Sequence, residues 1–350
     1  MSLSALELQD VVGHVGIAAS LARALATDRC APCYLFAGPP GVGKRTLALA
    51  FLRAFLCFAR GADGSACGRC VACRATEREK HPDLHRVPRE ESRSGRLEIT
   101  AVRSEVVEVF DLEPKLSRRR GVVIDGAERL SEEAQNSLLK TLEEPPAGAC
   151  LVLVTTTETA LLPTILSRAR LLRFGRLAPE EGLAVLAREN AGAEPELVLR
   201  EALALADGSP GAALELLSSE LFSERATLSG WIHSGVPAPA ELRELLPGLD
   251  TGGRAEGTRE ERKERLRELF QLTLLLVGRE LREGCGVGAE DASASAASSE
   301  DALRRQALIG SCQRWAELGL RALDDLDAMV TPELVFELWA AGLPRAAAQC

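Results

Sequence analysis

Three short runs in the first half of the chain are apolar at every position. They are Tyr34-Leu35-Phe36-Ala37, Val122-Val123-Ile124 ahead of Asp125, and Cys150-Leu151-Val152-Leu153-Val154 ahead of Thr155. A strand exposed on one face would alternate apolar and polar positions, so unbroken runs predict strands covered on both faces, as in a parallel sheet flanked by helices. Residues 46–58 predict a helix after the first strand, and 131–144 another. Ser131 is placed to cap the second, Glu132 and Glu133 suit its positive end, and Pro145-Pro146 stops it. From about Leu177 the pattern turns helical, with segments at 179–191, 197–206 and 211–217 and with Gly192 and Gly208 placed as left-handed caps. Further helices at 261–281 and 301–326 flank a Gly/Ala/Ser-rich acidic stretch, 284–299, that reads as a flexible loop. The expected organisation is an α/β domain over 1–176, a small helical domain over 177–219 and an all-α domain over 220–350.

A length of 350 residues agrees with several domains, and 46% hydrophobic with 27% charged residues is ordinary for a soluble chain. A formal net charge of -9 means that global electrostatics would not draw the chain onto DNA; a role there would need a local patch or partners. No N-terminal basic head precedes an apolar core, and the apolar run at 274–277 is far too short for a bilayer, so a cytoplasmic protein without a membrane partner is expected. In that reducing compartment the ten cysteines are not a disulfide framework. Cys150 and Cys312 sit in apolar surroundings and read as small core residues. Cys57, Cys67, Cys70 and Cys73, spaced C-x9-C-x2-C-x2-C, read differently: four thiolates within 57–73 suit a tetrahedral structural zinc ion, Zn2+. An iron–sulfur cluster and free thiols are the alternatives.

The chemistry concentrates after the first strand. Gly38-Pro39-Pro40-Gly41-Val42-Gly43-Lys44 lies between a strand and a helix, the setting a phosphate-binding loop requires. Its glycines let backbone N–H groups wrap an anion, the helix start adds positive potential, and Lys44 adds a point charge. The next position should carry a hydroxyl for magnesium, yet it is Arg45. Thr46 follows, but one helical step turns a side chain by about 100° and does not replace the missing ligand. Asp125 ends the second strand where a metal-organising carboxylate belongs, while the neighbouring site for a water-polarising glutamate is Gly126. Glu128 lies two residues out of register and reads as a helix-start or surface carboxylate. The loop keeps what an ATP phosphate chain needs, but hydrolysis is not expected, since loss of a general base costs orders of magnitude in rate.

With these features in place, the chain resembles bacterial DNA polymerase III clamp-loader subunits of the AAA+ class. The resemblance rests on 38–44, on Asp125, on 136–146 (Asn-Ser-Leu-Leu-Lys-Thr-Leu-Glu-Glu-Pro-Pro) and on 162–168 (Leu-Pro-Thr-Ile-Leu-Ser-Arg). It is strong over about 9–215 and weaker beyond. It implies a RecA-like α/β AAA+ parallel-sheet domain, a small helical lid and an all-α collar that joins five subunits into a ring. The family contains gamma/tau motors and delta-prime stators, and Arg45 and Gly126 favour the delta-prime type. Gly208-Ser209-Pro210-Gly211-Ala212-Ala213-Leu214 resembles the family's second-sensor helix, with Gly211 where motors carry an arginine. Ser167-Arg168 resembles its Ser-Arg-Cys motif, with Ala169 departing at the last position. The resemblance then implies that Arg168 is an arginine finger acting in trans on a neighbour's ATP, and that the cysteine module binds zinc. The implied partners are gamma/tau and delta subunits in a hetero-pentameric ring, and through it the sliding clamp and primer-template DNA. Such a chain would not be catalytic alone, but would be accessory to a DNA-directed DNA polymerase, a nucleotidyltransferase as a complex. A gamma/tau-type motor ATPase is the alternative, and a DNA-binding regulator a weaker one. Arg118-Arg119-Arg120 reads as an exposed basic turn rather than a phosphate contact.

Overall fold

The computed structural model describes residues 7–87, 102, 106–190, 193–234, 258–284, 299–328 and 330–343. The chain divides into two compact units, Met1–Ala213 and Leu214–Cys350. Among the described residues the first unit is built on a five-stranded sheet: β1 (Cys33–Ala37), β2 (Leu84–Val87), β3 (Arg120–Asp125), β4 (Ala149–Thr155) and β5 (Arg170–Arg173). Their order across the sheet is β2-β3-β4-β1-β5, and every pairing is parallel. The parallel α/β architecture expected from the apolar runs is therefore present, with the loop-bearing strand β1 held between β4 and β5.

The continuous runs are explained by which residues face which side. Tyr34, Phe36, Val123, Val152 and Val154 pack on one face with the helices Val15–Ala26 and Lys44–Leu56. Cys33, Leu35, Val122, Ile124, Leu151 and Leu153 pack on the other with Leu138 and Leu142 of the helix Glu132–Glu143. Alternate residues serve opposite cores, so neither parity can be polar. Ser131 caps the latter helix as expected, its Oγ accepting from the Ala134 N–H at 3.2 Å. Gly208 adopts φ +77° after the helix Glu196–Leu205 and its N–H reaches the Leu203 carbonyl at 2.9 Å. Gly192 and most of the 284–299 loop lie outside the described residues; the flanking helices are Arg259–Gly284 and Ser299–Asp327. The helix expected at 46–58 runs Lys44–Leu56, because Gly43 in the left-handed region (φ +94°) ends the loop two residues earlier.

Arg120 corrects the reading of 118–120 as an exposed basic turn. Its side chain is buried at the start of β3, with the guanidinium donating to the carbonyls of Val109, Leu112 and Glu113. Arg119 pairs with Asp28, which leaves Arg118 as the exposed member of the triplet. Beside Arg120 the carboxylate of Asp83 is fully buried and accepts the N–H groups of Lys115, Leu116 and Ser117 at 2.6, 2.8 and 2.6 Å. Ser117 Oγ donates to the Leu56 carbonyl at 3.0 Å and is therefore placed to accept from His81 Nε2 at 3.2 Å. His81 Nδ1 accepts the Asp83 N–H at 3.0 Å, so the network selects the neutral tautomer with its proton on Nε2. Cys150 and Cys312 are both fully buried, as expected.

The second unit has no strand among its described residues, and its main helices are Arg225–Ser234, Arg259–Gly284, Ser299–Asp327 and Pro332–Gly342. Trp339 is the hub of its core, with ring centroids 5.1 Å from Phe270, 5.7 Å from Trp315 and 6.0 Å from Phe336. Glu280, also buried, is held by Arg279 at 2.9 Å and His233 Nε2 at 3.1 Å. None of the described helices is long and apolar enough to cross a membrane.

Burial resists ionisation of Asp83, but the three backbone donors outweigh it and hold its pKa below the ordinary aspartate value. Its contribution to stability is therefore complete above that ordinary value and lost only as pH falls through the depressed one. Asp83→Ala should cost about 3 kcal/mol at neutral pH, because it orphans three N–H groups and removes the carboxylate 4.0 Å from the buried Arg120 guanidinium. Thermal melts across pH 3–8 check this: the gap between wild type and variant should be widest at neutral pH and close in acid.

Candidate functional site

β1 leads straight into the glycine-rich loop. Gly38, Gly41 and Gly43 have φ of +151°, +70° and +94°, the region where a side chain is strained. Gly38 has a second constraint, since a Cβ there would lie 2.3 Å from the Phe174 carbonyl oxygen. The loop is pinned from two further directions that the sequence did not announce. His14, itself left-handed at φ +53°, donates from Nε2 to the Val42 carbonyl at 3.0 Å and stacks edge-on against Phe174 at 4.8 Å. Burial holds His14 below the ordinary histidine pKa, which suits a neutral ring donating to a carbonyl. From the other side, Ser209 Oγ donates to the Pro40 carbonyl at 2.9 Å and the Gly211 N–H to the Gly41 carbonyl at 2.9 Å.

Gly211 therefore has a role beyond lacking an arginine. A Cβ on it would sit 2.7 Å from Gly41 Cα and 3.0 Å from the Gly41 carbonyl oxygen. Two glycine backbones meet here, and no larger side chain fits at 211 without moving the loop.

The cationic side chains divide the work. Lys44 is buried at the first position of its helix, with Nζ donating to the Gly38 and Pro39 carbonyls at 2.6 and 2.5 Å. Burial lowers its pKa, with Glu128 and Asp125 pulling the other way. Arg45, largely exposed, turns to β3, where Nη1 lies 3.7 Å from Asp125 Oδ2. Thr46, one step further along the helix, is half-buried. The residue in the place of a metal-binding hydroxyl thus puts a positive charge on the carboxylate that would organise the metal.

Gly126, at φ +80°, turns the chain out of β3, and a Cβ on it would lie 2.8 Å from Arg129 Nε. A glutamate at 126 would be strained by its backbone and by that neighbour. Glu128 stands in the short turn Ala127–Arg129 and accepts from Thr156 through its N–H at 3.3 Å and its hydroxyl at 3.1 Å. Burial raises its pKa, yet these hydrogen bonds prevail and hold it below the ordinary glutamate value. Glu128 is thus an engaged carboxylate at the edge of the site, not a free surface one.

Arg168 follows the short helix Pro163–Leu166 and precedes β5. One Nη donates to the Thr164 carbonyl at 3.0 Å, and the other pairs with Glu143 Oε1 at 2.8 Å. Glu143 belongs to the segment 136–146, so two motifs distant in sequence meet through this ion pair.

The four cysteines converge at the end of the helix that begins with Lys44. Their Sγ atoms all lie within 4.8 Å of one another, and Cys57 and Cys70 are 3.9 Å apart. A single tetrahedral ion with metal–sulfur bonds of about 2.3 Å would space its sulfurs about 3.8 Å apart. The N–H groups of Cys67, Cys70 and Cys73 point at the sulfurs of Cys57, Cys67 and Cys70 at 3.2, 3.4 and 3.4 Å. Burial works against the Cys67 thiolate, but amide donors from Arg69 and Cys70 bring its pKa down to about 6. The set fits one ion held by thiolates.

Residues 13–178 match the family described as DNA polymerase III, delta subunit. The chain is 34% identical over 211 residues to DNA polymerase III subunit delta' of Escherichia coli (strain K12), covering 60% of this chain and 61% of that protein. It is 35% identical over 160 residues to subunit delta' of Bacillus subtilis (strain 168), 46% of this chain and 47% of that one. DNA polymerase III subunit tau of the same organism matches at 33% over 212 residues, 60% of this chain and 34% of tau. The chain thus spans about half to three-fifths of the length of these delta' relatives. Over residues 13–178 the chain is thus similar to the DNA polymerase III delta-subunit family, and the relatives it resembles there include delta' subunits.

Proposed function

We propose that this chain is a delta-prime-type subunit of a DNA polymerase III clamp loader: a stator that does not hydrolyse ATP and that serves a neighbour's active site. The observation that carries the reading is the Arg45–Asp125 contact at 3.7 Å. A guanidinium there supplies neither a hydroxyl ligand nor room for a hexacoordinate cation, and Gly126 supplies no base. We divide the chain into an AAA+ domain at 1–176, a lid at 177–219 and an oligomerising collar at 220–350, acting in a ring with gamma/tau and delta subunits on the sliding clamp and primer-template DNA in the cytoplasm.

In this reading Arg168 is the contribution in trans. A guanidinium beside a neighbour's transferring phosphate stabilises developing charge, and such fingers are worth about a thousandfold or more in rate. Its side chain is 34% exposed and held by Glu143 rather than buried, which keeps it at the surface. The cysteine module is read as a zinc knob. One ion of zinc matches the sulfur spacing better than an iron–sulfur cluster, whose several irons would hold four thiolates further apart. When bound, zinc would cross-link the end of the loop helix to 67–73; with four thiolates it has no open position for catalysis. A gamma/tau-type motor is the second reading, favoured by the retained Lys44 and by the match to tau.

The purified chain should turn over little or no ATP. In a loader reconstituted with gamma/tau and delta, Arg168→Ala should lower turnover at the adjoining site by about a thousandfold and leave ring assembly intact. Undiminished turnover in that variant would remove the finger assignment, and robust hydrolysis by the isolated chain, lost in Lys44→Ala, would favour the motor. Elemental analysis should find one zinc per chain, and Cys70→Ser should lose it together with several degrees of Tm. Iron in place of zinc, or a metal-free protein that melts like Cys70→Ser, would overturn the zinc reading.

A further inference from the structure

We propose that the glycine-rich loop binds a nucleoside triphosphate without magnesium, with the Arg45 guanidinium taking the cation's place between Asp125 and the phosphate chain. The inference deepens the reading of the loop as a nucleotide cradle and is independent of whether Arg168 acts as a finger.

Three observations lead there. The loop keeps its backbone turns: Gly41 and Gly43 are left-handed, Gly38 has φ +151° with its N–H on the Thr155 carbonyl at 3.3 Å, and the thirteen-residue helix Lys44–Leu56 starts at its mouth. Lys44 is buried with Nζ among the loop carbonyls, a cation already desolvated at the site. Arg45 is half in solvent, at 56% side-chain exposure, yet its Nη1 reaches toward Asp125 Oδ2 at 3.7 Å.

The electrostatics then decide between the metal and the guanidinium. Lys44 and Arg45 face Asp125 and Glu128, so the site is already balanced before any ion arrives. A divalent cation would have to displace Arg45 from Asp125 or sit against it, and two like charges a few ångströms apart repel, an effect that the solvent around Arg45 reduces but does not remove. Magnesium also demands oxygen ligands in a near-ideal octahedron at about 2.0–2.1 Å. Position 45 offers it none, Asp125 is paired and Glu128 is held by Thr156. A guanidinium suffers no such geometric demand. It presents planar donors that fit phosphate oxygens, and the 3.7 Å separation is loose enough for it to pivot from the carboxylate onto an anion. What it does not do is polarise a water, so a nucleotide held this way persists rather than turns over. No bond is made or broken in this step.

The test is equilibrium binding of a fluorescent ATP analogue and of ATP itself to the purified full-length chain, with magnesium or with EDTA. Wild-type affinity should be unchanged by EDTA. Arg45→Ala should weaken binding in EDTA by about tenfold or more, the loss of one charge-assisted phosphate contact. Arg45→Thr, which restores the hydroxyl and frees Asp125, should bind at least about tenfold more tightly with magnesium than without. Lys44→Ala should weaken binding in both buffers. The exposed position of Arg45 favours folded variants, checked by circular dichroism; Arg45→Gln replaces Arg45→Ala and Arg45→Ser replaces Arg45→Thr should either fail. The inference is overturned if wild type needs magnesium, if it binds nothing in either buffer, if Arg45→Ala binds as wild type in EDTA, or if Lys44→Ala retains affinity. Absence of binding would leave the stator reading standing, whereas magnesium-dependent hydrolysis by the isolated chain would sink both.

Discussion

The junction at Ala37 governs everything built around it. β1 is buried on both faces and delivers the chain into a turn whose left-handed steps at Gly38, Gly41 and Gly43 only glycine makes without strain. Because the strand cannot shift, the loop sits where three separate parts of the chain reach it: His14 at Val42, Phe174 against Gly38, and Ser209 with Gly211 on Pro40 and Gly41. The glycines permit an anion to approach and also permit the chain's own backbone to approach. At Gly41 and Gly211 the second use is visible, with two backbones in contact where an arginine would need room.

The departures from an ATP-hydrolysing site are coupled rather than scattered. Arg45 does more than omit a hydroxyl, because it neutralises Asp125, the other group a metal would need. Gly126 does more than omit a carboxylate, because its positive φ and the Arg129 side chain exclude one. Glu128 is close enough to influence Lys44 but is tied to Thr156. Restoring a side chain at 126 alone would meet its backbone conformation and Arg129, whereas restoring a hydroxyl at 45 alone would free Asp125. On the proposed reading the site is held by its own packing and charge balance, and its glycines, lysine and aspartate have structural duties there.

Sequence patterns revealed the parts whose cause is local. The apolar runs of β1, β3 and β4, the Ser131 cap and the glycine loop each carry their reason within a few residues. β2 (Leu-His-Arg-Val) and β5 (Arg-Leu-Leu-Arg) did not, because edge strands are short and partly polar, and their strand character comes from the neighbour they pair with. Arg120 was misread for the same reason: three consecutive arginines look like a solvated turn until carbonyls from 109–113 are brought over the first position of β3. The four cysteines were legible as a set, whereas the carboxylate beside Arg45, the threonine on Glu128 and the glycine facing Gly41 lie far off in sequence and leave no spacing signal.

The arginines at 168, 170, 173 and 176 show how charge in sequence differs from charge in the fold. Read linearly, four arginines in nine residues suggest a phosphate-seeking surface. In space each has a partner within the unit: Glu143 for Arg168, Ser20 for Arg170, Glu158 for Arg173 and Asp207 for Arg176. Arg173 is held by both oxygens of its glutamate, at 2.7 and 3.0 Å, and Arg176 also reaches the Asp207 carbonyl. Three of the four are thus balanced by carboxylates, which with a net charge of -9 leaves little long-range pull on nucleic acid. Arg168 differs in its setting, not its formal charge. It follows a four-residue helix, and its carboxylate partner is itself 53% exposed, so solvent screens the pair, as it screens the Arg176–Asp207 pair at 52% and 49% exposure. A competing anion would displace a single-point pair such as Arg168–Glu143 more readily than the doubly bonded Arg173–Glu158 pair. How loosely each guanidinium is held at home therefore does not single out Arg168 by itself: Arg170 rests on a serine hydroxyl, and the Arg176 pair is as exposed as that of Arg168, so what sets Arg168 apart is its place in the 162–168 motif and its tie to the 136–146 segment.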